Sequence, residues 1–301
     1  MAIPVVLDTD IGLDVDDVWA LAFLLRCPEL DVKLVTTATG DTAYRARVAA
    51  RLLEVAGRTD IPIGIGIPLD DSPRTHAHWL GDYALDDYPG RILGDGVGAM
   101  CDVINASAER TTLIGIGPLP NVAAALARSP GIAERARFVG MHGSLRRGYL
   151  GAPKPMREYN VKQHALSCQA VFGAPWEKVI TPLDSCGTVV LDGARFAAVR
   201  QSRLPLAEAV IANHTGWCEA VRDWPLAAQL RPAERSSVLF DTVAVYLAFS
   251  EELLEMEELP ILVTSDGKTL IDQAGERVRC ATGWKDEASF LDLLTHRLLE
   301  R

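Results

Sequence analysis

Positive charge never accumulates along this chain. It carries 30 Lys and Arg against 40 Asp and Glu, a net charge of −10. No basic run is long enough to follow a phosphate backbone, so nucleic acid is not an expected partner. No stretch approaches the roughly 18 apolar residues of a membrane span. The amino terminus also lacks a basic segment followed by an apolar one, so neither a signal peptide nor a membrane partner is expected, and the expected location is cytoplasmic. The six cysteines, at 27, 101, 168, 186, 218 and 280, form no Cys-x-x-Cys pair. Reduced thiols, several of them in the core, are expected in place of zinc sites or disulfides. Linkers, low-complexity tracts and internal repeats are missing as well. With 49% hydrophobic residues, the chain is expected to bury a large core as one domain over residues 1–301.

Acid, in contrast, is concentrated at one place. Asp8, Asp10, Asp14, Asp16 and Asp17 fall within ten residues. The β-branched run Val5, Val6, Leu7 reads as a buried strand. From Val15 helix-forming residues continue without a breaker to Pro28. The acidic loop therefore sits at the carboxyl end of a strand, where open α/β sheets place their ligands. Acids in the first turn of a helix are favoured by capping and by the dipole, by about 0.3–1 kcal/mol each. That accounts for any one of Asp14, Asp16 or Asp17 but not for two further acids on the strand end. The cluster as a whole points to a hard divalent cation with oxygen ligands, Ca²⁺ or Mg²⁺.

Strand and helix patterns alternate over the first two thirds of the chain. Strand-like runs fall at 32–38, 61–64, 112–116, 137–141 and 178–181, with helical patterns at 44–56, 97–109, 121–128 and 164–172. This predicts an α/β fold with a mainly parallel central sheet flanked by helices. Beyond Asp192 the pattern turns helical, at 193–201, 206–221 and 238–253, then gives short strands at 261–263 and 268–271 and a last helix from about 286. A helical insertion over 192–255 is expected to wall one side of the active-site cleft.

Three more places could carry chemistry. Gly117-Pro118-Leu119-Pro120-Asn121 joins a strand to a helix. It reads either as a plain turn with Pro120 or Asn121 starting the helix, or as a turn offering a backbone carbonyl to a metal, which proline can supply because it lacks only the N–H. Asp241 is a lone acid in an apolar helical stretch. It needs a cation, a donor set or a raised pKa, unless it caps the helix or pairs with Arg235. Glu158 and Asn160 follow a strand and a glycine-rich stretch; they suit sugar hydroxyls, with an N-cap as the plainer reading of Asn160.

Taken in order, Asp8-Thr9-Asp10-Ile11-Gly12 with Asp16-Asp17-Val18-Trp19-Ala20-Leu21, then Thr36 to Asp41, Ile116 to Asn121, Glu158 to Val161 and Phe240 to Val245, resemble the motifs of the inosine-uridine-preferring nucleoside hydrolase family. The resemblance spans about residues 3–250. It implies a single-domain α/β fold that holds Ca²⁺ at the strand ends, with the ion binding water and the ribose 2′- and 3′-hydroxyls. Carried over, the metal ligands are Asp10, Asp17, the main-chain carbonyl of Pro120 and Asp241. Asp16, Glu158 and Asn160 bind ribose, Met141 lines the sugar pocket, and Asp41 stands where a ribose-binding asparagine is usual. Asp10 is the expected base that takes a proton from the attacking water, giving ribose and a free base. A homodimer or homotetramer is also implied by the resemblance.

The departures lie at the leaving group. Phe240 stands where the family has a histidine, Ile92 where it has a second, and Ala152 where it has another asparagine. Two residues are inserted in the first motif, leaving Asp14 as an extra acid and Asp8 to support the loop from behind. Candidates to contact the base are His142, His78, Trp79 and Trp217, with His76, His214 and Trp224 beside them. Two rival readings remain at this point: a non-catalytic nucleoside or sugar sensor, motivated by the missing histidines, and a haloacid-dehalogenase-like phosphatase, motivated by a strand ending in Asp-Thr-Asp.

Overall fold

The computed structural model describes residues 2–69, 71–224 and 227–300. Ten strands, β1 (Ile3–Thr9), β2 (Leu30–Thr37), β3 (Ile63–Ile65), β4 (Ile92–Leu93), β5 (Thr111–Gly115), β6 (Ala136–Met141), β7 (Lys178–Thr181), β8 (Leu254–Val263), β9 (Thr269–Ile271) and β10 (Glu276–Trp284), form one sheet. Its order is β4-β3-β2-β1-β5-β6-β7-β10-β8-β9. From β4 to β10 every neighbouring pair is parallel; β8 joins β10 and β9 antiparallel at the far edge.

β1 explains the architecture. Val5 and Leu7 face one apolar cluster and Val6 the other, all fully buried, so this strand is covered on both faces as a central parallel strand must be. From β1 the chain builds outward through β2, β3 and β4 on one side, then returns to add β5, β6 and β7 on the other. The order therefore reverses between β1 and β5. Loops leaving adjacent strands at such a reversal diverge to opposite faces and open a crevice at the carboxyl ends.

The expected α/β class and mainly parallel sheet are found, with several shifts in detail. The helix expected at 238–253 is Phe240–Leu247, and the chain then turns into β8. The region expected as an all-helical insertion holds Gly193–Gln201 and Pro205–Ala220, but the described residues between 221 and 239 add only the short turn Ala227–Gln229. β10 was not expected at all, and β8 is longer than the 261–263 expected. Both carry charged side chains on their open faces, and the acidic half of β8, Glu255 to Glu258, hides its period-two pattern. Val278 and Cys280 are buried while Arg277 and Arg279 are exposed, which is the alternation of a strand with one covered face. Among the described residues, no helix is long and apolar enough to cross a membrane.

Candidate active site

The acidic loop leaves β1 at Asp10 and re-enters helix at Asp16–Leu24. Thr9 ties its two ends together: its hydroxyl donates to the Asp17 carboxylate and accepts from the Ile11 N–H at 3.0 Å. The intervening turn needs Gly12, which has φ +106° and a Tyr44 ring carbon only 2.9 Å from where a Cβ would stand. Four side chains clamp the backbone of this turn. Tyr44 and Thr75 donate hydroxyls to the Gly12 carbonyl, Thr75 and the Trp217 indole N–H reach the Leu13 carbonyl at 2.6 and 3.0 Å, and His76 Nε2 lies 3.1 Å from the Asp14 carbonyl oxygen.

Asp16 and Asp17 occupy the first turn of their helix, and Asp241 the first turn of Phe240–Leu247. The two helix N-termini meet at the crevice. Carboxylate oxygens of Asp16, Asp17 and Asp241, all buried, lie within 4.8 Å of one another. Burial first, and repulsion from neighbouring carboxylates second, push all three carboxyls well above the usual range; the leading neighbour is Asp14 for Asp16, Asp10 for Asp17 and Asp16 for Asp241. An all-oxygen, multiply charged and buried donor set of this kind fits a hard divalent cation. Asp10 is buried beside them, 4.0 Å from the guanidinium of Arg45.

Arg45 was not anticipated from the sequence. It is fully buried, donating to the Thr39 and Ile11 carbonyls at 2.7 and 3.2 Å, and supplies a fixed countercharge behind Asp10. Its signal is a basic residue on the apolar side of the helix Thr42–Val55. Gly117, after β5, is required for close approach: a Cβ there would lie 2.8 Å from Asp10 Oδ1. Pro120 follows, buried as the first residue of the helix Pro120–Arg128. Its neighbour Asn121 donates to Asp8 at 2.8 Å, and Thr36 donates to the same oxygen at 2.5 Å. Asp8 therefore lies behind the loop, with its carboxyl raised by burial to about 7.

A cavity of about 560 Å³ opens over these strand ends. Asp10, Asp16, Asp17, Met141, Asn160 and Asp241 all line it, as does Glu158. Glu158 caps Tyr159–Gln163 by accepting from three backbone N–H groups, those of Gly143, Asn160 and Val161, at 2.6–3.1 Å. Burial raises its carboxyl to about 7. The Asn160 side-chain amide donates to the Ile116 and Met141 carbonyls at 3.1 and 3.0 Å, spanning the ends of β5 and β6.

Asp41 is placed elsewhere. It caps the helix Thr42–Val55 through the Tyr44 N–H at 2.9 Å and pairs with Arg74, because a short acid before a helix satisfies an otherwise open N–H. Most of the residues expected at the base also lie outside the lining of this cavity. His142 is buried between Phe138 and Phe172, bonded to the Gly117 carbonyl at 3.1 Å, with burial pulling its pKa down to about 3. His78 is exposed on a separate groove, Trp79 stacks under the Arg51 guanidinium at 4.7 Å, and Trp217 holds the Leu13 carbonyl. His76 and His214 are buried, and burial lowers the pKa of each to about 4. Of the group, only Trp224 reaches the cavity. The positions that sequence reasoning missed there include Asp71, Ser72, Pro73, Tyr149 and Gln163; they sit on loops and short helical turns with no periodic signal.

The chain is 32% identical over 216 residues to the non-specific ribonucleoside hydrolase RihC of Klebsiella pneumoniae, covering 68% of this chain and 67% of the relative. It is 33% identical over 202 residues to the RihC of Escherichia coli O127:H6, covering 64% of each. These alignments thus span about two thirds of the curated relatives. Among solved structures, the plant nucleoside hydrolase PpNRh1 superposes with a TM-score of 0.82 at 21% identity over all of both chains. A purine-preferring ribonucleoside hydrolase from Gardnerella vaginalis gives 0.78 at 21% identity over 98% of both. The two relatives and the Gardnerella protein are ribonucleoside hydrolases and the plant protein is a nucleoside hydrolase, all of them N-glycosidases. With the family model described as "Inosine-uridine preferring nucleoside hydrolase" matching residues 5–292, this chain belongs to that nucleoside hydrolase family.

Proposed function

We propose that the protein hydrolyses the N-glycosidic bond of ribonucleosides to ribose and free base, using Ca²⁺ held by Asp10, Asp17, Asp241 and the main-chain carbonyl of Pro120. The observation that carries this reading is the buried Asp16, Asp17, Asp241 triad at the strand-order reversal, beneath a cavity large enough for a nucleoside. A divalent cation held by these residues would supply a water of lowered pKa and a positive charge facing the sugar hydroxyls.

The side chains perform the rest. Asp10 accepts the proton of the attacking water as the new bond to the anomeric carbon forms. Its own carboxylate is held in place by Arg45 on one side and by the close approach of Gly117 on the other. Asp16, Glu158 and Asn160 hold the sugar hydroxyls while Met141 packs against the ring, fixing the anomeric carbon relative to the water. Positive charge develops on the sugar as the bond to the base stretches, and the surrounding carboxylates stabilise it.

Reducing-sugar release from a panel of purine and pyrimidine ribonucleosides, with and without a chelator, tests the reading. Turnover abolished by chelation and restored by Ca²⁺ is the expected result, and Asp10→Asn is expected to lower kcat by about 10²–10⁴-fold. Full turnover in the presence of the chelator would sink the metal assignment. Binding of nucleosides without sugar release from any of them would instead favour the sensor reading.

A further inference from the structure

We propose that this site prefers ribonucleosides whose base carries a positive charge, such as an N-ribosylpyridinium or an N7-alkylated purine nucleoside, and releases that base without protonating it. The proposal rests on the hydrolase reading above and concerns the half of the reaction that reading leaves open.

A neutral base departs with the electron pair of the broken bond and needs a proton to do so easily. None of the chain's six histidines lines the cavity. His76, His142 and His214 are buried in the structure around it, and His78 faces another groove. His164 joins two helices, and His296 lies exposed on the last helix beside Glu300. Among the described residues the lining contains no Lys or Arg either, while seven of its side chains are Asp or Glu. Arg45 offsets one of them from behind Asp10. A divalent cation would offset two more and still leave a negative interior, which attracts a cationic substrate and repels phosphorylated ones.

The wall beyond the sugar site has matching chemistry. Asp14, Tyr149 and Phe240 line both this cavity and an adjoining one of about 300 Å³, which Trp217 also lines and where Arg235 stands with its guanidinium donating to the Gln229 carbonyl at 2.7 Å. Phe240 meets Tyr149 edge-on, with centroids 5.9 Å apart at 86°, and Trp224 lies on the same cavity. Aromatic faces and carboxylates together favour a flat cation over a neutral ring. Asp14 is the acid contributed by the inserted turn, whose backbone is clamped by Tyr44, Thr75, His76 and Trp217.

The step balances without an acid. The water oxygen bonds to the anomeric carbon, and its proton passes to Asp10. The bond from that carbon to the ring nitrogen breaks, and its electron pair enters the ring. That pair cancels the ring's positive charge, so the base leaves neutral.

The test compares kcat/KM of the metal-loaded protein for nicotinamide riboside and 7-methylguanosine with that for guanosine, inosine and uridine. Values at least tenfold higher for either cationic nucleoside are expected. Because such nucleosides are intrinsically labile, binding is read separately: reduced nicotinamide riboside, nearly the same shape without the charge, is expected to inhibit with a constant at least fivefold above the KM of the oxidised form. Asp14→Asn is expected to lower the cationic-to-neutral ratio of kcat/KM at least threefold. Equal or better turnover of neutral nucleosides, with no binding advantage for the charged form, would overturn the proposal and leave the hydrolase reading standing. Sugar release from none of the five would overturn both.

Discussion

Cation binding to the metal-free protein is expected to expel protons, at least one per ion near neutral pH. The expectation follows from the spacing of Asp16, Asp17 and Asp241, whose oxygens lie within 4.8 Å of one another. Two like charges at that distance repel by about 3–4 kcal/mol at an effective dielectric constant of about 20. Three such pairs cost about 10 kcal/mol, as much as the roughly 5–15 kcal/mol that holds a typical domain together. The metal-free protein avoids this by keeping protons on the triad, whose carboxyls are pushed well above the usual range by burial and by neighbouring acids. A divalent cation removes the need for those protons. Isothermal titration of Ca²⁺ at one pH in two buffers of different ionisation enthalpy counts the protons released. For each proton displaced, affinity should fall about tenfold per unit decrease in pH. Asp241→Asn should both reduce the count and weaken binding by about 100-fold, or about 2.7 kcal/mol. Binding without proton release, and with affinity unchanged between pH 6 and 7.5, would show that the triad is already ionised and refute the reasoning.

Two further outcomes concern Asp8 and Gly117, which stand behind and beside the acidic loop. Asp8 has a carboxyl raised by burial to about 7, against an ordinary value of 3.8. Its contribution to stability is complete below about pH 4 and is lost as pH rises through 7, up to about 4 kcal/mol. Urea unfolding of the metal-free protein at pH 5 and pH 8.5 should therefore show a smaller difference for Asp8→Asn than for the unmodified chain, and identical differences would contradict the assignment. Gly117→Ala would place a Cβ 2.8 Å from Asp10 Oδ1 and 2.9 Å from the Asp10 nitrogen. It is expected to destabilise by about 1–3 kcal/mol and to lower kcat at least tenfold; a variant with unchanged kcat would show that the approach is not needed for catalysis.

The strongest sequence signals were those carried by local chemistry. A β-branched run before a glycine-containing acidic loop identified the central strand, because burial on both faces demands such residues. The crowding of Asp16 and Asp17 with three further acids was also legible, as was Asp241 as a lone acid in an apolar stretch, while the role of each came from the family resemblance. Asp41 shows a related ambiguity: a short acid before a helix is equally suited to capping, and here it accepts from the Tyr44 N–H and pairs with Arg74. The histidines and tryptophans beside predicted strand ends could not be sorted by type alone. His142 and Trp217 are consumed by backbone carbonyls and packing, a fate decided by residues far away in the chain.

By itself the sequence determined the parallel α/β class, the acidic loop at the end of its first long strand and the acids able to hold a hard cation. Periodicity and side-chain chemistry act over a few residues, so these features can be read locally. Tertiary structure alone decided that Asp241 meets Asp16 and Asp17 across more than 200 positions, that Arg45 stands behind Asp10, and that no histidine reaches the cavity. Those outcomes depend on which faces of distant helices pack against one sheet, and packing is set by the whole core at once.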